Sequence, residues 1–353
     1  MSNIIKTGLA CYGLSGRVFH APFLHCHPQF ELTAVLERTK SKSLGLNKNQ
    51  CIVRDYKALI ELPEIELIVV NTPSNLHYSM VKQALLAGKH VVVEKPFVPT
   101  VAEAEELIRL AKNENKMLSV YHNRRWEAGH LTVKKLLSEK TLGQLKLFKT
   151  NVDRWRAKIG PKKWKEQANE GAGLLYDIGS HQIDEMLTLF GWPERLYADI
   201  RCMRELGEVD DYFDIQCFYQ HPQYGSLKAV LSATLLSHFP QPAYQLYGTK
   251  ASFNKQTIDV QESLLSAGLL PCSTNWADEP EENWGYIKGE GMKKQQQYQS
   301  VNGNYSGFYE NIYQHLRQNK PLTVTADQAL DVIKLINFAQ QSSASRSEIL
   351  IQQ

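Results

Sequence analysis

Runs of apolar residues in the first third of the chain alternate with stretches in which apolar positions recur every three or four residues. Leu67-Ile68-Val69-Val70-Asn71 and His90-Val91-Val92-Val93-Glu94 are continuous and rich in β-branched residues, the pattern of strands buried on both faces. Residues 7–12, 30–36 and 117–121 read as three further strands. Helical spacing fills intervals at 78–87, closed by Gly88, and at 101–114, opened by Thr100 as an N-cap. This alternation predicts a doubly wound parallel sheet of the α/β class.

Beyond Arg125 the pattern changes. A helix at 131–139 leads to a strand through Phe148, Asn151 and Asp153. A second helix at 176–190 carries Ile178, Ile183, Met186, Leu187 and Phe190 as its apolar stripe. Strands at 212–219, 228–235, 244–247 and 251–255 follow without helices between them. They predict a mostly antiparallel open sheet with helices on one face, an α+β arrangement. Residues 256–304 are polar and read as irregular loops and short strands, and helices near 305–318 and 326–341 close the chain. Two domains are expected, 1–122 on the parallel sheet and 123–353 on the antiparallel one.

Composition narrows the class. The 353 residues, 43% hydrophobic and 22% charged, suit a soluble globular protein with two cores. A net charge of +3 gives no support for a nucleic-acid partner. The runs Lys162-Lys163 with Lys165, and Lys293-Lys294, are short and read as solvated faces. The six cysteines, Cys11, Cys26, Cys51, Cys202, Cys217 and Cys272, include no C-x-x-C pair. That argues against a zinc ribbon and fits reduced thiols in a cytosol. No window approaches the ~18 apolar residues of a membrane helix. A cytoplasmic protein without a membrane partner is expected.

After the first strand the chain reads Cys11-Tyr12-Gly13-Leu14-Ser15-Gly16. The dinucleotide fingerprint G-x-G-x-x-G uses its second glycine for backbone approach to a pyrophosphate and its third for close helix packing. Both survive as Gly13 and Gly16, and Cys11 stands where the first would be. Placement between strand and helix points to a nicotinamide dinucleotide in a Rossmann domain. Pro22 then breaks or kinks the following helix. His20, His25, Cys26 and His27 invite a metal reading, but no carboxylate cluster accompanies them, so no metal is expected. Glu37 at the second strand's tip would grip a ribose diol in NAD, whereas Arg38 and Lys40 would meet the 2′-phosphate of NADP. A solvated charged turn is the plain alternative.

The second strand-end motif is Glu94-Lys95-Pro96, where ligands gather in open α/β sheets. Later, Gly171-Ala172-Gly173 leads into a helix carrying Asp177 and His181, four apart and so on one face. As a lone pair these would be an ordinary helical contact. Beside a lysine and a nicotinamide they make a dehydrogenase: the histidine takes an alcohol proton and the lysine steadies the alkoxide.

Gly13-Leu14-Ser15-Gly16, Glu94-Lys95-Pro96, His122-Asn123-Arg124-Arg125-Trp126 and Asp177-Ile178-Gly179-Ser180-His181 together resemble the Gfo/Idh/MocA oxidoreductases. The resemblance spans nearly the whole chain, Val301-Asn302-Gly303-Asn304-Tyr305 included, and is strongest to NADP-dependent scyllo-inositol 2-dehydrogenases. It implies that Lys95, Asp177 and His181 are the catalytic trio. It also implies that Asn71, Thr72, Pro73, His77, Glu94 and Asn123 line the cofactor. Arg124, Trp126, Arg154, Trp155, Tyr176 and Tyr305 are candidates for shaping a polyol pocket. NADP is the favoured cofactor, a cyclitol or sugar alcohol the substrate, and a homodimer or homotetramer through the open sheet the assembly. Two other readings stand beside this one: a non-catalytic dinucleotide-sensing regulator, and a dehydratase or glycosidase using transient NAD oxidation.

Overall fold

The computed structural model describes residues 3–44, 50–160 and 166–352, so Lys162, Lys163 and Lys165 lie outside the described residues. The chain forms two compact units. One comprises Met1–Asn123, Gln261–Ala277 and Asn304–Leu330; the other comprises Arg124–Val260, Asp278–Gly303 and Asp331–Gln353.

Among the described residues the first unit is built on six parallel strands: β1 (Ile5–Leu9), β2 (Phe30–Leu36), β3 (Cys51–Val53), β4 (Leu67–Val70), β5 (His90–Val93) and β6 (Leu118–Val120). Their order is β3-β2-β1-β4-β5-β6, so the winding direction reverses between β1 and β4. That is the switch point beside which doubly wound sheets take their ligands. All four residues of β4 are buried, as their unbroken apolar run requires. Helices α1 (Ala21–Cys26), α2 (Tyr56–Glu61), α3 (His77–Leu86) and α4 (Val101–Asn113) connect the strands, and α7 (Gln261–Ser266) joins this unit from later in the chain. Thr100 and Glu103 close a reciprocal capping box at the start of α4. Pro22 falls in the first turn of α1, where its missing N–H has no helical partner to lose. A separate π-helical turn, Gly16–His20, precedes it. The helix therefore restarts rather than kinks.

One expectation is corrected. Cys26 and Cys272 are joined as a disulfide with Cα atoms 5.5 Å apart, so they are not both free thiols. Their separation of 246 residues leaves no local spacing that could disclose the pair.

Among the described residues the second unit holds the helix α5 (Ala128–Ser138) and nine strands: β7 (Leu145–Asp153), β8 (Arg195–Arg201), β9 (Tyr212–His221), β10 (Gly225–Thr234), β11 (Tyr244–Gly248), β12 (Ala251–Lys255), β13 (Gly285–Gly289), β14 (Gln296–Tyr298) and β15 (Ile349–Leu350). The order is β14-β13-β12-β11-β7-β10-β9-β8-β15, antiparallel except where β7 meets β10. Burial alternates along β9: Phe213, Ile215, Cys217 and Tyr219 are buried, while Asp214, Gln216 and Phe218 are half-buried. The buried face packs on α6 (Ser180–Phe190), whose Phe190 ring lies 5.3 Å from Phe148 and 6.1 Å from Tyr219. Gln182 of α6 donates to the carbonyls of Thr150 (3.0 Å) and Ser232 (3.1 Å), fixing helix to sheet. Among the described residues no helix is long and apolar enough to cross a membrane.

Candidate functional site

The first unit supplies a nucleotide loop. A Cβ on Gly16 would stand 2.2 Å from the Cys11 carbonyl oxygen and 3.0 Å from Asn71 Nδ2, so only glycine fits there. On Gly13 it would meet only Cys11 Sγ, at 3.5 Å, and both Gly13 and Leu14 are exposed. Cys11 has no positive φ, which explains how a side chain is tolerated at the fingerprint's first position. Asn71 Nδ2 donates to the Cys11 carbonyl at 2.8 Å. Its Oδ1 is shielded from solvent and has no hydrogen-bond partner among the described residues. A buried acceptor of this kind is normally satisfied, so it marks a place where a ligand donor belongs. The close-packed glycine and this orphaned oxygen fit a dinucleotide.

Around the loop, the predicted residues divide by what they already hold. His77 is buried, with Nδ1 3.0 Å from the Pro96 carbonyl and Nε2 2.9 Å from that of Thr72. Burial pushes its pKa down. It fastens the Thr72-Pro73 turn to the segment after Lys95 and offers no ring nitrogen to a ligand. Glu94 accepts from the Ser15 hydroxyl, from His20 (3.0 Å) and from the Lys95 backbone N–H (3.1 Å). Burial opposes its charge, but His20 and Ser15, helped by Lys95, hold its pKa down to about 2. Glu37 turns inward to its own loop, accepting from the backbone N–H of Lys42 (3.0 Å) and from both N–H (2.8 Å) and hydroxyl (2.6 Å) of Ser43. These bonds overcome its burial and hold the carboxyl below its usual range. Arg54 donates to the carbonyls of Glu37 (2.7 Å) and Lys40 (2.5 Å), bracing the same loop. Arg38 and Lys40 are exposed. Asn123 is buried, and Tyr305 lies in the core with its ring 6.3 Å from Phe23.

The second unit supplies the acid and the histidine. Asp177 lies in a π-helical turn, Leu175–Gly179, that runs directly into α6 at Ser180, and His181 is the next residue. The sequence pattern predicts plain α-helix here. A π turn has the same composition, so nothing in the pattern reveals it, although such turns recur at functional sites. Gly173, with φ of +96°, makes the entry: its Cβ would come within 2.0 Å of Asp210 Oδ1. Asp210 accepts from the Leu175 N–H at 2.6 Å, and burial pushes its pKa up to about 6. The neighbouring Asp211 pairs with the buried Arg204 at 2.9 Å, and Arg204 reaches Glu166 at 2.7 Å. Farther along α6, Asp184 pairs with Arg125 through two bonds of 2.8 and 2.6 Å, and Glu185 lies 3.1 Å from His130. Sequence reading missed these supports because no local spacing connects their partners.

The pocket candidates of this unit are dispersed in character. Tyr176 is buried, and burial lifts its pKa to about 12. Arg124 pairs with Glu127 at 3.4 Å, and Trp126 is half-buried. Arg154 bonds through its backbone to Thr234 (2.9 Å) and Ser237 (3.1 Å). Trp155 is half exposed and stacks on His238 with ring centroids 3.7 Å apart. The histidines weighed for a metal are spread over other partners: His20 goes to Glu94 and Tyr309, and His27 to Glu310 at 3.0 Å.

Comparison with known proteins accounts for both units. Residues 5–122 match the oxidoreductase family's NAD-binding Rossmann fold, and residues 134–351 match its C-terminal alpha/beta domain. The chain is 37% identical over 352 residues to scyllo-inositol 2-dehydrogenase (NADP(+)) of Bacillus subtilis, covering 99% of this chain and 96% of that one. A solved structure from Bacteroides fragilis matches with TM-score 0.90 at 44% identity, over 99% of this chain and 100% of the other. One from Bacillus subtilis matches with TM-score 0.94 at 36% identity, over 100% and 99%. With Gly16 of the loop admitting no side chain, Glu94-Lys95-Pro96 at the end of β5 and both domains matched, the chain belongs to the Gfo/Idh/MocA oxidoreductases.

Proposed function

We propose that this oxidoreductase transfers hydride between NADP and a secondary alcohol of a cyclitol or related sugar polyol, reducing the ketone in reverse. The observation that carries the substrate class is the end-to-end likeness, at 37% identity, to a relative named for scyllo-inositol and NADP. The cofactor preference has a separate support. An acid that grips a ribose diol needs an open carboxylate, and both oxygens of Glu37 are taken by Lys42 and Ser43. Exposed Arg38 and Lys40 on the loop that Glu37 braces suit a 2′-phosphate.

The dinucleotide is held by Gly13, Leu14, Ser15 and Gly16 at its pyrophosphate, with Asn71, Thr72, Pro73 and Asn123 toward its nicotinamide end. When bound, it supplies the hydride acceptor. The chain's own residues handle the proton. His181 takes it from the alcohol oxygen, the Lys95 ammonium stabilises the developing alkoxide, and Asp177 orients the alcohol and the imidazole. Arg124, Trp126, Arg154 and Tyr176 give the hydrogen bonding and apolar faces that a polyol ring requires. The nine-stranded sheet's half-buried face, with Tyr197, Gln216, Phe218 and Lys228, is the surface through which copies of the chain associate as a dimer or tetramer.

A panel of inositol isomers and sugars, assayed for reduced nicotinamide with NADP and NAD in parallel, tests this reading. Turnover of a cyclitol with kcat/KM higher for NADP is expected. Dinucleotide binding without turnover of any polyol would favour the sensing regulator instead.

A further inference from the structure

His20 is a buried side chain that the proposed chemistry does not use, yet both of its ring nitrogens are committed. It ends the π-helical turn that begins at Gly16. Nδ1 lies 2.7 Å from the hydroxyl of Tyr309, on α8 (Ser306–Gln318), and Nε2 lies 3.0 Å from Glu94 Oε1. Burial raises the Tyr309 pKa, so its hydroxyl stays protonated and able to donate. An ionised carboxylate only accepts, so Nε2 must carry the hydrogen toward Glu94. The Tyr309 hydroxyl holds the other ring nitrogen, so the imidazole is fixed at both ends, between Tyr309 and Glu94.

The same Oε1 also accepts from Ser15, inside the glycine loop, and Oε2 accepts from the backbone N–H of Lys95. One carboxylate thus ties together two segments that lie 79 residues apart in sequence. Burying a carboxylate contributes little to folding compared with an apolar side chain of like volume. What this one does is fix the loop and the start of the lysine segment in a single geometry.

We propose that His20 is a positioning residue for the dinucleotide: oriented by Tyr309, it holds Glu94 in the rotamer that latches Ser15 of the glycine loop to the Lys95 backbone. This rests on the reading that the glycine loop holds the cofactor. A precise loop is what close approach to a pyrophosphate demands, so the latch acts on cofactor affinity.

The test is fluorescence titration of the full chain with NADPH, with melting temperature measured alongside. The variants are His20→Gln, His20→Phe, Ser15→Ala and the double variant Ser15→Ala/His20→Phe. Gln keeps a nitrogen donor near Nε2 and should stay within about threefold of wild type, whereas Phe fills the site without a donor and should weaken NADPH about tenfold or more. Ser15→Ala should add little on top of His20→Phe, because both act through Glu94. Equal loss in Gln and Phe, or fully additive effects of Ser15→Ala and His20→Phe, would overturn the latch. Should His20→Phe fail to fold, Tyr309→Phe combined with Ser15→Ala carries the same test, with coupled losses supporting the latch and additive ones overturning it. If His20→Phe binds NADPH as wild type does, the latch alone is wrong. If wild type binds neither NADPH nor NADH, the cofactor reading falls and takes the latch with it.

Discussion

The contrast between the two loop glycines gives a direct prediction at the residue scale. Gly16→Ala drives a methyl to 2.2 Å from the Cys11 carbonyl, a backbone atom that cannot swing away. It should cost about 1–3 kcal/mol of stability and weaken NADPH binding. Gly13→Ala has 3.5 Å to its nearest neighbour and should leave the melting temperature within a degree or so of wild type. Thermal melts of the two variants separate the outcomes, and equal losses would refute the steric account. A second prediction concerns cofactor choice. If Arg38 meets the 2′-phosphate, Arg38→Ala should lower the NADP-over-NAD ratio of kcat/KM about tenfold, the worth of a charge-assisted hydrogen bond. An unchanged ratio would return the choice to Glu37. Adjacent acid and base at 37 and 38 are legible in the sequence, and so is their ambiguity. That Ser43 and Lys42 already occupy the acid is not, because it depends on how the 40–43 loop folds back.

At the scale of elements, the strands of the first sheet were readable where apolar runs were long and β-branched, as in β4 and β5. β3 escaped notice because it is three residues at a sheet edge, and β8 because charged residues interrupt its alternation in Arg-Leu-Tyr-Ala-Asp-Ile-Arg. The π turn under Asp177 is invisible for a different reason: its composition is that of an α-helix, and the Asp210 carboxylate that caps it at Leu175 lies 35 residues away in sequence. That cap makes a pH prediction. Burial raises the Asp210 pKa from 3.8 to about 6, so folding favours the protonated acid. Its stabilising contribution is complete below the unfolded value and is lost as pH rises through about 6. Asn at this position does not titrate. Relative to wild type, Asp210→Asn should therefore gain about 2–3 kcal/mol of stability between pH 4 and pH 7, read by urea unfolding at several pH values. Parallel pH curves for the two proteins would contradict this.

For the whole molecule, the half-buried sheet face predicts self-association. Light scattering at micromolar concentration should return a dimer or tetramer. Phe218→Glu should shift the mass toward monomer, since Phe218 sits mid-face with Arg195 3.9 Å over its ring. A wild-type monomer would remove the proposal. The central claim is that Lys95, Asp177 and His181 perform chemistry rather than binding, and one measurement bears on it most directly: steady-state turnover of a cyclitol by Lys95→Ala and His181→Ala, with NADPH affinity titrated on the same preparations. Groups that act on the alcohol proton and the alkoxide should lower kcat by about 10²–10⁴-fold while NADPH affinity stays within about threefold. Wild-type turnover in Lys95→Ala, or a loss explained entirely by weakened NADPH, would contradict it.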